Sequence, residues 1–156
     1  MAVSDPKTDL LHYLRQVREG FLQKLDGLSA YDARRPMTPT GTNILGLVKR
    51  VAGVQAGYFG VTFGRPFPDR LAWEDDGSEI DDDMWARPEA SAADIVDLFR
   101  RTSVHADSTI EALSLDAVGQ VPWWSPERSE VTLHRVLVHV IAEVTAMRAR
   151  PTSCAS

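Results

Sequence analysis

The sequence predicts an all-α fold, a single four-helix bundle. Apolar residues recur at helical spacing in four separate segments. No window shows the strict apolar–polar alternation of a half-buried strand. The prolines fall in the connections between the periodic segments.

The first helix is expected from about Thr8 to Leu28, with Leu10, Leu11, Leu14, Val17, Phe21, Leu25 and Leu28 as its apolar stripe. Asp5-Pro6 is its start signal, because Asp caps free backbone N–H groups and Pro is tolerated in the first turn. Ser29 to Thr42 is a connection, since Pro36 and Pro39 exclude a continuous helix. The second helix is expected from about Asn43 to Phe63, with Ile44, Leu47, Val48, Val51, Val54 and Tyr58 inward. Gly46, Gly53, Gly57 and Gly60 weaken it in isolation. They let a neighbouring helix or a ligand come close, and helix packing is the favoured reading.

Residues 64–90 form a long connection carrying the acidic run from Glu74 to Asp83, with Trp73, Met84 and Trp85 expected to pin it to the bundle. The run lacks the alternate-residue spacing and closing Glu of a calcium loop, so it reads as a solvated segment. Ser91 is the expected N-cap of the third helix, which runs to about Leu113. Leu115 to Glu130 links it to the fourth, which starts near Val131 and carries Leu133, Val136, Leu137, Val140, Ile141, Val144 and Met147 inward. In the link, Trp123 and Trp124 read equally as a pocket mouth or as core anchors. The bundle is expected over residues 1–150, with a short disordered tail over 151–156.

A chain of 156 residues suits one core, and 44% hydrophobic with 25% charged residues is a globular mixture. The formal charge of −5 argues against nucleic acid or an anionic membrane as the main partner. Cys154 cannot form an internal disulfide and reads as inert. No signal peptide or spanning stretch is evident, so the expected location is cytoplasmic.

Several runs carry a resemblance: Arg34-Arg35-Pro36-Met37-Thr38-Pro39, Leu45-Gly46-Leu47-Val48-Lys49, Gly57-Tyr58-Phe59-Gly60, and Val131-Thr132-Leu133-His134-Arg135-Val136-Leu137-Val138-His139 followed by Ile141-Ala142-Glu143. Together they span nearly the whole chain and resemble the DinB/YfiT-like family of metalloenzymes, especially its actinobacterial branch. The resemblance implies an up-down-down-up bundle and a pocket in which three histidines hold a divalent metal such as zinc or nickel. It also implies, for some relatives, transfer or isomerisation assisted by a low-molecular-weight thiol such as mycothiol. Three ligands leave one coordination position open for water or a thiolate.

The positions that match the family's ligands are Arg50, Met147 and Arg150. Arg has no lone pair for a metal, and Met is a soft ligand suited to copper(I). The sequence therefore predicts no metal cofactor held in the family way. The remaining histidines do not rebuild the site. His134 and His139 are five apart and face different ways. His139 and Glu143 are four apart on one face, and an ordinary contact is the favoured reading. His12 and His105 read as surface or satisfied core residues.

The leading expectation is a family-type enzyme working without metal. Arg50 and Arg150 would clamp an anionic small molecule, a thiol conjugate for example, with Tyr58, Trp124 and Met147 lining the site and Glu143 or His139 as base. The alternatives are a non-catalytic ligand-binding or stress-associated bundle, and a degraded family member persisting as a homodimer. The segment from Ala146 to Ser156 has no apolar stripe, and a one-base shift in a GC-rich gene would account for it.

Overall fold

The structure is a computed structural model that describes residues 5–26, 44–68 and 92–148. Four helices dominate them: α1 (Pro6–Asp26), α2 (Ile44–Phe59), α3 (Ala92–Ala112) and α4 (Leu133–Arg148). They form the all-α bundle that the periodicity predicts.

α1 begins where its capping residue dictates. Asp5 Oδ1 accepts the backbone N–H groups of Lys7 (3.1 Å) and Thr8 (3.2 Å), and Oδ2 accepts the Thr8 hydroxyl. Two of the donors left unpaired at a helix start are thus satisfied. Leu14, Val17, Phe21 and Leu25 form the buried face of α1, which packs mainly on α4. On α4 the buried set is Leu133, Val136, Leu137, Val140, Val144 and Met147. Each such side chain, once fully buried, contributes about 1.5–3 kcal/mol.

α2 is the central element. Ile44 through Lys49 are all buried, as are Val51, Ala52, Gln55, Ala56, Tyr58 and Phe59. A helix apolar on nearly every side belongs inside a bundle, and α2 packs most extensively on α3 and also on α4. It ends at Phe59, four residues earlier than the expected boundary. Gly60 leaves helical geometry (φ −108°, ψ −80°), a 3-10 turn occupies Val61–Phe63, and Gly64 takes a left-handed conformation (φ 69°). Arg65 N–H closes the reversal by donating to the Gly60 carbonyl at 2.9 Å.

The expectation of no strand needs one correction. β1 (Val118–Gln120) and β2 (Glu130–Thr132) pair antiparallel, with Gly119 opposite Val131. Strands of three residues are too short to produce a legible alternation. The same pairing moves the start of α4 to Leu133, two residues past the expected Val131. Gly119 lets the hairpin sit on the 3-10 turn: a Cβ there would stand 2.5 Å from the Thr62 carbonyl oxygen. The first three N–H groups of α4 are then satisfied in turn. Leu133 donates to the Ala117 carbonyl (2.9 Å), His134 to the Leu115 carbonyl (2.9 Å), and Arg135 to Thr132 Oγ1 (3.1 Å). This fixes the rotational setting of α4, and with it the direction of His139.

A buried polar cluster joins α1, α2 and α3. Arg18 Nε donates to Gln55 Oε1, and Arg18 Nη1 donates to Asp107 Oδ1 at 2.7 Å. Gln55 Nε2 donates to Ser103 Oγ at 3.0 Å. Burial pushes the Arg18 guanidinium below its ordinary value, and the Asp107 carboxylate opposes that. The expected stripes omit Arg18 and Gln55, yet spacing places both inward. Arg18 is four residues after Leu14 and three before Phe21. Gln55 is four after Val51 and three before Tyr58.

Candidate active site

α2, α4 and the β1–β2 connection line an open cavity of about 440 Å³, formed by Arg50, Gly53, Val54, Gly57, Tyr58, Trp123, Trp124 and Glu143. Arg50, Gly53, Val54 and Gly57 recur at helical spacing on one face of α2, so one turn after another presents a residue to the cavity. Gly53 and Gly57 keep that face low. A Cβ at Gly57 would come within 2.9 Å of Cη2 of Trp123, so the indole rests where a side chain is missing.

The polar centre is the Tyr58 hydroxyl. Tyr58 is buried, and three nitrogens converge on its oxygen. Trp123 Nε1–H donates to it at 3.3 Å and Trp124 Nε1–H at 3.2 Å. Nε2 of His139 lies 3.1 Å away. The rings meet edge-on or tilted: Tyr58 with Trp123 at 4.9 Å between centroids, Tyr58 with His139 at 5.0 Å, and Trp124 with His139 at 5.1 Å. Edge-to-face contacts of this kind add about 0.5–1.5 kcal/mol per pair beyond area burial. Glu143 Oε2 is 3.2 Å from the same His139 Nε2. A chain of groups therefore runs from the two indoles through Tyr58 and His139 to Glu143. It can move a proton, and the cavity beside it can hold a small molecule.

The expected site residues fall out as follows. Arg50, Tyr58, Trp124 and Glu143 line one cavity, and His139 stands behind it in hydrogen-bonding reach of Tyr58. Met147 is 4% exposed within the apolar core and is not among the lining residues. Arg150 lies outside the described residues, as do Cys154, the acidic run, Trp73, Met84, Trp85 and Ser91. The two tryptophans combine both readings: each lines the cavity, while Trp124 also packs on the core and Trp123 stays half exposed. His12 and His134 are exposed. His105 holds the segment after the 3-10 turn, its Nε2 2.6 Å from the Arg65 carbonyl oxygen. Among the described residues, no three His, Cys, Asp or Glu side chains are grouped to hold a metal ion.

A sequence profile for mycothiol-S-transferases matches residues 9–146, nearly the whole of the bundle. The chain belongs to the mycothiol-S-transferase family. That family lies within the DinB/YfiT-like superfamily, which agrees with the resemblance carried by the sequence runs. No curated protein and no solved structure matches the chain. As in a mycothiol-S-transferase, the substrate class that membership suggests is a low-molecular-weight thiol. No helix among the described residues is long and apolar enough to cross a membrane.

Proposed function

We propose that this chain is a cytoplasmic, thiol-dependent S-transferase that works without the divalent metal of its relatives. The single observation that carries the proposal is the convergence of Arg50, Tyr58, Trp124 and Glu143 on one cavity. Family membership suggests a thiol, and the cavity contains the kinds of group that a charged thiol conjugate requires. A guanidinium pairs with carboxylates in a fork-like geometry, so Arg50 is assigned the anionic part of the thiol. The aromatic wall of Tyr58 and Trp124 takes the apolar part, and the His139–Glu143 pair supplies the base.

Donor chemistry supports the metal-free reading. The ligand positions implied by the resemblance hold a guanidinium, which has no free lone pair, and a thioether packed into the apolar core. These groups do not fit a divalent ion.

The test is a conjugation assay. The purified chain is given mycothiol and an alkyl halide such as monobromobimane, with and without a strong chelator. The expected result is turnover above the spontaneous rate that the chelator leaves unchanged. Turnover appearing only with added zinc or nickel overturns the metal-free reading. A thiol that raises the melting temperature without being converted makes the chain a binding protein instead.

A further inference from the structure

We propose that Tyr58 is the catalytic acid–base group of this site, passing its own proton to His139 as it receives the proton of the bound thiol. This rests on the thiol-transfer reading and adds the atom that activates the sulfur.

An indole N–H can only donate. Trp123 and Trp124 both donate to Tyr58 Oη, at 3.3 and 3.2 Å, and so fill the two acceptor positions of a phenol oxygen. The phenol's own proton is left to point at the remaining neighbour, His139 Nε2, at 3.1 Å. With Nε2 accepting, the imidazole is assigned the Nδ1–H tautomer, and Glu143 Oε2, 3.2 Å from the bare Nε2, gains a donor once the proton crosses.

The surroundings favour moving that proton across. If it passes to Nε2, the ring becomes an imidazolium whose Nε2–H faces both the phenolate oxygen and Glu143 Oε2, 3.2 Å away. Tyr58 Oη keeps the Trp124 indole N–H as a donor when Trp123 yields its place. Both charged products therefore have oriented partners before the transfer occurs, which is how preorganised sites stabilise developing charge. Glu143 also lines the cavity, so the relay is open to a ligand at that end.

The thiol needs a way to the oxygen, and Trp123 supplies it. This residue is 51% exposed and sits on the connection between β1 and β2, whereas Trp124 is packed against the core. The Trp123 N–H gives up its place to the incoming S–H. The S–H proton goes to Tyr58 Oη as the phenol proton goes to His139 Nε2. The sulfur forms a bond to the electrophilic carbon, and the bond from that carbon to the leaving group breaks, with the electron pair leaving on that group. The imidazolium proton goes to the leaving group or to water, which restores His139.

Two measurements test this on the whole chain. Long-range ¹⁵N NMR of the imidazoles is expected to show His139 protonated on Nδ1 with Nε2 accepting, and Tyr58→Phe is expected to move the ring toward the Nε2–H form facing Glu143. In the conjugation assay, Tyr58→Phe is expected to lower kcat by about 10²-fold or more, the usual range for loss of an acid–base group. Should that variant fail to fold, His139→Gln is expected to show the same loss. A neutral Nε2–H ring in the unmodified chain that Tyr58→Phe leaves unmoved overturns the relay. Full-rate conjugation by Tyr58→Phe overturns the catalytic role while leaving the S-transferase reading intact. A chain that conjugates no thiol overturns that reading and the catalytic role together, and the NMR result still decides where the proton sits.

Discussion

The indole of Trp123 lies over Gly57, its Cη2 only 2.9 Å from where a Cβ would be. An added methyl group there must displace something, and the displaced atom is the far end of a half-exposed side chain on a connection. The ring can therefore swing outward at low cost. Alanine in a helix interior meanwhile gains about 0.5–1 kcal/mol over glycine. Gly57→Ala is expected to leave the melting temperature unchanged or slightly raised while moving Trp123 off Tyr58. Tryptophan emission should shift toward that of a hydrated indole. A clear fall in melting temperature would mean that Trp123 is held rigidly and cannot act as the yielding donor.

Arg18 and Asp107 give the opposite case, a contact that cannot be loosened cheaply. The Arg18 side chain is 7% exposed and Asp107 22%. Asp107→Ala would leave the guanidinium buried beside Gln55 alone, and breaking a buried pair from one side costs about 3–5 kcal/mol. The low end, about 3 kcal/mol, is expected because Asp107 retains some water. Arg15 also reaches Asp107, at 3.3 Å, but it is 55% exposed. Arg15→Ala should cost well under about 1 kcal/mol, since exposed pairs are weak. Chemical denaturation of the two variants checks the ratio, and equal losses would show that the buried pair carries no special weight.

Local geometry and backbone period decide what is legible in the sequence. The start of α1 was legible because Asp5, Pro6 and Thr8 act through local geometry. The stripes on α1, α2 and α4 were legible because their period is a property of the backbone. The hairpin was hidden because three residues per strand leave no pattern. Arg50, Tyr58, Trp124 and Glu143 could be nominated from the resemblance, but the hub at Tyr58 could not. It exists because the hairpin turns both indoles back toward α2, a long-range event that leaves no local signal, whereas the cap that Thr132 gives Arg135 is local. Arg18 and Gln55 were in principle readable from spacing, but charged and amide side chains are usually assigned outward.

Asp5 yields a pH prediction. Its hydrogen bonds with Thr8, the side-chain hydroxyl first and the backbone N–H next, hold its carboxyl below the usual 3.8. The ionised form is thus favoured in the folded state, and the stabilisation is complete above the unfolded value. It is lost as the pH falls through the lower folded value. Asp5→Asn, which keeps a cap without the charge, is expected to match the unmodified chain in strong acid and to be less stable near neutrality. Thermal melts across the acid range check this. A variant with an unchanged acid limb would show that the cap does not depend on ionisation.

Arg50 decides the metal question by substitution. Arg50 and Glu143 line the same cavity, and His139 Nε2 is 3.2 Å from Glu143 Oε2. Arg50→His would exchange a permanent cation for an imidazole, removing one repelling charge and adding one nitrogen donor. Two imidazoles and a carboxylate are a common zinc donor set with a position left open. The variant is therefore expected to bind zinc at least about tenfold more tightly than the unmodified chain, a gain of roughly 1.4 kcal/mol or more. Competition with a chromophoric chelator measures this. Zinc binding should also release protons, because the histidines must be neutral to ligate. Stoichiometric zinc or nickel already bound to the unmodified chain would refute the premise, because a guanidinium facing the cavity would then not be keeping divalent ions out.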